Sequence, residues 1–175
     1  MFSSPEQNIL KLGLTEGMRV ADFGAGTGFY SKACSSRVGM TGKIFAIEVQ
    51  KDLVKKLETE LRNWGISNVE CIWGDIERKG GTKLSDGSID AVIISNVLSL
   101  AEDRIGLIDE ARRILKRGGK VLLIDWTYSF SIDGPKAENL IDEDKAKELF
   151  EKRGFVLDER ISAGANHYGI IFKYE

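Results

Sequence analysis

The sequence is poor in the residues that metal sites, disulfide frameworks and membrane spans require. It has one histidine and only two cysteines, Cys34 and Cys71, which lie far apart and match no metal-binding or redox spacing. No hydrophobic run approaches the roughly 20 residues of a transmembrane helix, and the first residues lack the charged and apolar regions of a signal peptide. We therefore expect no bound metal, no membrane insertion, and a cytoplasmic protein with both thiols reduced.

An excess of charge of either sign is also missing. The 25 Lys and Arg residues nearly balance the 27 Asp and Glu residues, so the net charge is -2. A general electrostatic attraction to nucleic acid or to an anionic membrane is therefore not expected. Hydrophobic residues make up 42% of the 175-residue chain, as in ordinary globular proteins, and the length predicts one domain spanning residues 1–175.

The chain does contain a regular alternation of strand and helix patterns. Short apolar runs predict strands near 18–23, 43–48, 69–72, 89–94, 120–126, 155–161 and 168–174. Helical periodicity predicts helices near 5–12, 29–37, 51–63, 102–115 and 142–152, with Ser4 and Thr27 as the caps of the first two. The polar, glycine-rich residues 77–87 predict a surface loop. This alternation indicates an α/β fold, a Rossmann-like three-layer sandwich with a mostly parallel sheet between helices. The last two strands are joined by a short loop, so they should form an antiparallel pair.

The first strand runs into the most informative stretch of the sequence, Asp22-Phe23-Gly24-Ala25-Gly26-Thr27-Gly28. Three alternate glycines between a strand and a helix let a ligand approach the backbone, and the helix N-terminus favours an anionic group. The dinucleotide fingerprint G-x-G-x-x-G would need its third glycine at Phe29, but the third glycine is Gly28. A nicotinamide cofactor is therefore not favoured.

An acidic residue two places before a G-x-G-x-G loop resembles the first motif of class I S-adenosylmethionine-dependent methyltransferases. The likeness continues at Lys116–Val121, before the fifth strand, and at Gly154–Phe155, before the sixth. It is closest to the small single-domain branch related to quinone- and arsenite-type enzymes. The resemblance implies a seven-stranded sheet of order 3-2-1-4-5-7-6 with the last strand antiparallel. It also implies S-adenosyl-L-methionine as cofactor, S-adenosyl-L-homocysteine as product, and methyl transfer by in-line displacement.

Ligands of such sheets bind beyond the carboxyl ends of the strands, where this chain repeatedly places polar residues. By resemblance, the cofactor contacts fall on Asp22, Gly24, Ala25, Gly26, Gly28, Glu48, Val49, Asp75, Ile76, Ser95 and Asn96. The glycine loop would pass under the methionine portion, whose ammonium group Asp22 would bind. Glu48 would accept hydrogen bonds from both ribose hydroxyls, and Asp75 one from the adenine amino group. Taken singly, each carboxylate could equally be a helix cap, and the glycines a tight turn.

The remaining contacts in this set are neutral. Val49 would pack on the adenine, and the Ile76 backbone N–H would point at the ring. Ser95 and its neighbour Asn96 would face the carboxypropyl arm and the sulfonium of the cofactor.

Departures from related families limit the acceptor. The loop after the fourth strand reads Ser95-Asn96-Val97-Leu98, without the Asn/Asp-Pro-Pro-aromatic tetrad of enzymes that methylate a flipped base and without a nucleophilic cysteine. Arsenite enzymes need several thiols, which Cys34 in a helix and Cys71 in a strand do not supply. A small-molecule or protein acceptor is therefore favoured over nucleic acid. The acceptor atom and any catalytic base stay open.

Aromatic residues at the same predicted edge are the candidates for binding the acceptor. Trp126 and Tyr128 follow the fifth strand, His167 and Tyr168 begin the last strand, and Tyr30 lies in the helix after the glycine loop. Tyr30 and His167 could equally be ordinary packing residues. The N-terminal helix within residues 1–16 is a candidate cover, and a homo-oligomer could complete an open site. The alternative function is a non-catalytic or regulatory module that binds S-adenosylmethionine on the same fold.

Overall fold

Apolar strands form the centre of the protein. The computed structural model describes residues 4–127 and 135–175. Its strands are β1 (Arg19–Phe23), β2 (Lys43–Glu48), β3 (Val69–Trp73), β4 (Ile89–Ser95), β5 (Leu115–Trp126), β6 (Phe155–Ser162) and β7 (His167–Tyr174). Four consecutive residues of β4, Ala91–Ile94, are buried, because helices cover both faces of the sheet.

The strand order is 3-2-1-4-5-7-6, as the resemblance implies. β7 pairs antiparallel with both β5 and β6, whereas the pairs among β1 to β5 are parallel. Because β6 runs in the same direction as β5, β7 begins at the edge where the parallel strands end. There, Trp126 is paired with His167.

In the described part of the chain, five α-helices flank the sheet. They are α1 (Pro5–Asn8), α2 (Phe29–Val38), α3 (Lys51–Asn63), α4 (Arg104–Ile114) and α5 (Glu143–Glu151). α3 shows why its sequence forms a surface helix: Val54, Leu57 and Leu61 recur on one face and are buried, while the other face is charged. α5 begins where the Asp142 side chain accepts a hydrogen bond from the Lys145 N–H, which satisfies a free amide of its first turn.

Three local predictions differ from the structure. The N-terminal helix is short: α1 ends at Asn8 and continues as a 3₁₀ turn over Ile9–Leu12, and the Ser4 side chain bonds Glu6 without capping the helix. Gly28, not Thr27, is the N-cap of α2. The polar 77–87 segment is not entirely a surface loop, because Thr82 is fully buried.

The described residues contain no helix long and apolar enough to cross a bilayer. Within the same residues, no group of three His, Cys, Asp or Glu side chains could hold a metal ion. Cys34 is buried, and Cys71 is half-buried on the edge strand β3.

Candidate cofactor and acceptor site

Two clefts open at the carboxyl edge of the sheet and meet at Gly24, Ser95 and Asn96. The first cleft, of about 560 Å³, lies between α1 and the glycine loop. The second, of about 800 Å³, lies between the ends of β2 and β3 and the loop after β4. Ten of the eleven predicted cofactor residues line one or both clefts: Asp22, Gly24, Ala25, Gly26, Glu48, Val49, Asp75, Ile76, Ser95 and Asn96.

The three glycines of the loop serve different purposes. Gly26 has a φ of 49° and nothing closer than 3.8 Å to an added Cβ, so its backbone is open to a ligand. At Gly24, with a φ of 66°, an added Cβ would lie 2.6 Å from Val97 Cγ2. Gly28 differs from the prediction: it lines neither cleft, and its missing side chain makes room for Leu57. Gly28 therefore holds α2 against α3 and does not pass under a ligand.

Asp22 lies at the bottom of the first cleft. Its carboxylate is 3% exposed and accepts a hydrogen bond of 2.7 Å from Ser31 Oγ, the only side-chain donor that the described residues offer it. Burial raises the pKa of Asp22 from 3.8 to about 6, although the hydrogen bonds from Ser31 oppose the rise. A buried carboxylate without a cationic partner, at the wall of a cleft, is suited to an ammonium group of a ligand.

Asn96 occupies the point where the two clefts meet. Its φ of 60° is in the left-handed region, which asparagine tolerates better than most residues, and its N–H donates to the Ile124 carbonyl oxygen at 2.9 Å. Its side-chain Oδ1 is buried and accepts no hydrogen bond from the described residues. An unpaired buried oxygen held in a strained conformation is free to receive polar or cationic groups of a bound ligand.

Glu48 ends β2 on the wall of the second cleft. One carboxylate oxygen accepts from the Gly26 N–H at 3.2 Å and the other from the Gln50 N–H at 2.9 Å, while the side chain stays almost fully buried. These two bonds fix the orientation of the carboxylate. Since each oxygen has more than one lone pair, both can still accept a hydroxyl from the cleft.

The outer part of the second cleft combines apolar and charged walls. Val49 and Leu100 are both more than half exposed, at 58% and 55%, and line the cleft as a pair of apolar surfaces. Asp75 accepts from the Glu77 N–H at 3.0 Å and from Arg78 Nε at 2.9 Å. Arg78 is the most exposed partner in this network, so its side chain can leave Asp75 when another donor arrives.

A buried ion pair, which the sequence analysis missed, supports this wall from behind. Glu110 in α4 accepts from the Gly80 and Thr82 N–H groups, from Thr82 Oγ1 and from Arg113. Burial alone would raise the pKa of Glu110, but the hydrogen bonds from Arg113 and the loop outweigh it and lower the pKa to about 2. The i,i+3 spacing of Glu110 and Arg113 was visible in the sequence, but their partner loop was not.

The N-terminal segment forms the remaining wall of the first cleft. Pro5 and Glu6 line it opposite Gly26, and Asn8 Nδ2 donates to the Tyr30 hydroxyl at 2.8 Å. Tyr30 therefore both lines the cleft and anchors α1 on α2. Pro5 and Glu6 therefore form one wall of the first cleft, and a cover by residues 1–16 stays a prediction.

The predicted acceptor residues separate into two groups. Trp126 and His167 pack ring against ring, with centroids 4.3 Å apart, on the sheet edge beside β4. Tyr168 is wrong as a cleft residue, since its side chain is 5% exposed and points to the opposite face, into the core beneath α4 and α5. Because side chains alternate along a strand, His167 and Tyr168 could not both face the same cleft. Tyr128 lies outside the described residues.

Asp125, next to Trp126, is fully buried on the Tyr168 side of the sheet. It accepts from the Ser99 N–H at 2.9 Å and the Trp126 N–H at 2.8 Å, and burial raises its pKa. These bonds tie the loop after β4 to the end of β5, so Asp125 is assigned a structural contact and not a ligand.

Comparisons with known proteins identify this architecture. A family model described as a methyltransferase domain matches residues 14–164. The chain belongs to this methyltransferase family. Its solved neighbours include an S-adenosylmethionine-dependent methyltransferase from Aquifex aeolicus, with a TM-score of 0.89 and 26% identity over 99% of this chain and 91% of that one. The family and this neighbour indicate S-adenosylmethionine as the cofactor.

Two groups of relatives stand out among the similar sequences. The ubiquinone/menaquinone biosynthesis C-methyltransferase UbiE of Hydrogenovibrio crunogenus is 30% identical over 148 residues, which are 77% of this chain and 57% of that protein. The arsenite methyltransferase of Aquipseudomonas alcaligenes is 28% identical over 116 residues, 64% of this chain and 34% of that protein. The chain therefore spans between a third and three-fifths of the length of these relatives.

Proposed function

We propose that this protein transfers a methyl group from S-adenosylmethionine to a small-molecule acceptor. The proposed cofactor site consists of the ten predicted cofactor residues that line the two clefts, without Gly28. The observation that carries the proposal is the continuity of the clefts at Asn96, with Asp22 at one end and Glu48 at the other. A ligand with a cation at one end and a vicinal diol at the other would meet a suitable group at both.

The residues present fit this cofactor. The backbone at Gly26 is uncovered, and among the described residues the Asn96 Oδ1 has no hydrogen-bond partner and the Asp22 carboxylate has no cationic partner. The last two features disfavour the empty site, since a buried polar group with incomplete partners costs about 1–3 kcal/mol. A bound amino-acid portion would relieve two of them at once, and the apolar surfaces of Val49 and Leu100 would enclose a flat base.

The protein contributes orientation to the reaction. The cofactor supplies an activated methyl group, so the transfer needs no metal and no covalent intermediate on the chain. Asp22 and Glu48 would hold the two ends of the ligand, and Asn96 would keep an oxygen near the positive sulfonium. Alignment of this kind contributes up to about 7–11 kcal/mol to the lowering of a barrier.

The relatives bear on the acceptor class. UbiE is named as a C-methyltransferase of quinone biosynthesis and the other group as arsenite methyltransferases, and both act on small molecules. Arsenite fits this chain less well, because burial raises the pKa of both thiols and Cys34 and Cys71 line neither cleft. Three expectations stay predictions from the sequence: a cytoplasmic location, the absence of a nucleic-acid acceptor, and a possible homo-oligomer.

Isothermal titration calorimetry tests the cofactor assignment. The protein should bind S-adenosylmethionine and S-adenosylhomocysteine and should not bind a nicotinamide dinucleotide. Glu48→Gln should weaken S-adenosylhomocysteine binding about 10- to 100-fold, since hydrogen bonds to charged groups contribute about 1.5–3 kcal/mol. Glu58→Gln is the matched control, because Glu58 is exposed on α3 and lines neither cleft. Equal binding by the two variants would remove Glu48 from the site.

A further inference from the structure

A third concave surface lies outside the two cofactor clefts, between α2 and α3. This α2–α3 groove has a volume of about 580 Å³, and its mostly apolar walls include Phe29, Leu53, Leu57 and Trp64. The Phe29 side chain is exposed by 56%, and its ring lies at 29° to that of Trp64 with centroids 6.2 Å apart. Concave apolar surfaces of about 300–1,000 Å³ are typical of small-molecule sites.

The groove follows from the sequence of α3 and of the glycine loop. Leu53, Leu57 and Trp64 are spaced by four and seven residues, so they lie along one side of the helix. At about 1.5 Å per residue, this apolar stripe is about 16 Å long. Leu57 is buried and occupies the space beside Gly28, so it forms the floor of the groove. Phe29 directly follows Gly28 and is thereby placed on the α2 wall.

The rim of the groove carries an excess of positive charge. Lys55 and Lys56 line it, and Lys32 Nζ lies 4.5 Å from the centroid of the Trp64 ring. In the described part of the chain, none of these three lysines forms an ion pair with a carboxylate. Glu60 is the one carboxylate among the described lining residues. The groove therefore combines an apolar floor with cations that have no carboxylate partner.

The glycine loop separates the groove from the first cleft. Gly26, Thr27 and Phe29 line both surfaces, so a molecule in the groove would touch the outer side of the loop whose inner side faces the cofactor. Asp22 and Glu48, which would hold the two ends of the cofactor, do not line the groove. The groove is therefore a separate surface that the proposed methyl transfer does not use.

We propose that the α2–α3 groove binds a small anionic amphiphile, a molecule with an apolar chain or ring and one carboxylate or similar anionic group. The apolar part lies along Leu57 and the rings of Phe29 and Trp64, where it removes exposed apolar surface from water. The anionic group lies at the rim and pairs with Lys55 or Lys56. This inference goes beyond the proposed methyl transfer and does not depend on it.

Charge and shape favour such a molecule over a second copy of the chain or a bilayer. In a two-fold dimer each groove would face the same groove of its partner, which would bring Lys55 and Lys56 close to their own copies. Juxtaposed like charges disfavour that arrangement. A bilayer surface is flat on this scale and would not fill a concave groove between two helices.

The experiment uses tryptophan labelled with ¹⁵N in the ring, which gives one indole N–H signal each for Trp64, Trp73 and Trp126. Trp64→Phe identifies the Trp64 signal by its loss. The probes are octanoate, 1-octanol and octyltrimethylammonium, which share one alkyl chain. Octanoate should shift the Trp64 signal saturably and bind at least about threefold more tightly than 1-octanol, since ion pairs at an exposed rim contribute modestly. Octyltrimethylammonium should give no saturable shift, and the other two tryptophans, which do not line the groove, should not respond.

Two variants separate the contribution of the apolar wall from that of the charge. Phe29→Ala should weaken octanoate and 1-octanol alike, by about fivefold, because it removes an aromatic wall. The double variant Lys55→Gln, Lys56→Gln should lower the affinity for octanoate to that for 1-octanol and leave 1-octanol unchanged. Lys51→Gln is the matched control, because Lys51 lies on the same helix but packs over the Trp73 ring and does not line the groove. All four side chains are exposed, so circular dichroism melts should match the wild type.

Several results would overturn the inference. These are a missing Trp64 response, equal responses of all three tryptophans, equal affinity for octanoate and octyltrimethylammonium, or an equal loss of octanoate binding in Lys51→Gln. A wild-type dimer in sedimentation that Phe29→Ala dissociates would make a second copy the occupant. Flotation with phosphatidylglycerol vesicles that Phe29→Ala abolishes would make a bilayer the occupant. Calorimetry with S-adenosylhomocysteine tests the proposed function separately, and octanoate bound at Trp64 would support this inference whichever way that titration turns out.

Discussion

Replacing Asp22 with Asn should make the empty protein more stable and the cofactor site weaker. The pKa of Asp22 is raised from 3.8 to about 6 by burial. This difference corresponds to about 3 kcal/mol by which the folded state disfavours the ionised carboxylate. Asparagine keeps an oxygen for the 2.7 Å bond from Ser31 Oγ and carries no charge. Asp22→Asn should therefore raise the free energy of unfolding near pH 7.5 by up to about 3 kcal/mol.

The sign of the pH dependence follows from the direction of the change in pKa. The folded state holds the Asp22 proton up to about pH 6, whereas the unfolded chain loses it near 3.8. The unfavourable contribution is thus absent below both values and complete above about pH 6. Linkage gives about 1.6 kcal/mol at pH 5 and about 3 kcal/mol at pH 7.5, so the stability advantage of the variant should grow by about 1.4 kcal/mol between them.

Binding should move in the opposite direction. Only the ionised carboxylate attracts an ammonium group, and about one molecule in eleven is ionised at pH 5 against about ten in eleven at pH 7 for a pKa of about 6. The dissociation constant of S-adenosylhomocysteine for the wild type should therefore rise about tenfold from pH 7 to pH 5. Asp22→Asn should bind weakly at both values, with no such pH dependence.

Urea denaturation and calorimetry at pH 5, 6, 7 and 7.5 measure both quantities on the same two proteins. Comparing variant with wild type at each pH cancels the titration of all other groups that the substitution leaves alone. The reasoning would be refuted by an Asp22→Asn protein that is less stable than wild type by the same amount at every pH. It would equally be refuted by cofactor affinity that the substitution leaves unchanged.

Three further substitutions separate binding from folding. Gly26→Ala should lower the free energy of unfolding by about 1 kcal/mol because of its positive φ, and it should abolish measurable S-adenosylhomocysteine binding. Gly28→Ala should lower the free energy of unfolding by about 1–3 kcal/mol, because Leu57 must move. Circular dichroism melts and calorimetry on this pair decide whether the two glycines differ, and identical profiles would contradict the assignment. Glu110→Gln should destabilise the fold by about 1–3 kcal/mol, because Arg113 keeps its ion pair with Asp86 but loses its buried carboxylate partner. Its cofactor affinity should fall less than that of Glu48→Gln, and the reverse order would show that the 77–87 loop matters more than the ribose contact.

The sequence predicts the strands and their ends well for a physical reason. A strand segment buried on both faces must be apolar, so Ala91–Ile94 is recognisable in the sequence as a buried strand. The polar residue after it, Ser95, marks the edge of the sheet where ligands bind. The helix starts were predicted less well. Ser4 and Thr27 have the right chemistry for caps, but Ser4 bonds a nearby side chain and the loop conformation makes Gly28 the cap.

Residue chemistry alone could not assign the glycines or the aromatic side chains. Gly26 and Gly28 look equivalent in the sequence, and only the position of Leu57 on a helix far along the chain separates them. Tyr168 and His167 are neighbours, and strand alternation sends Tyr168 into the core beneath α4 and α5 and His167 to the α2 face of the sheet. The Glu110 site depends on a contact with Thr82 that no local pattern reveals.

The two clefts differ in how completely their buried polar groups are hydrogen-bonded before a ligand binds, and this difference should affect binding. On the proposed adenosine side, Glu48 and Asp75 already accept hydrogen bonds from the backbone or Arg78, and Glu110 fixes the loop behind them. On the proposed methionine side, Asp22 and Asn96 are buried and have incomplete hydrogen-bond partners among the described residues. The adenosine end of a ligand therefore supplies few partners that the protein lacks. The amino-acid end supplies most of them and should contribute more of the binding free energy. Adenosine alone should bind far more weakly than S-adenosylhomocysteine. The ratio of their dissociation constants should be larger in the wild type than in Asp22→Asn, and calorimetry with both ligands on both proteins measures that ratio directly.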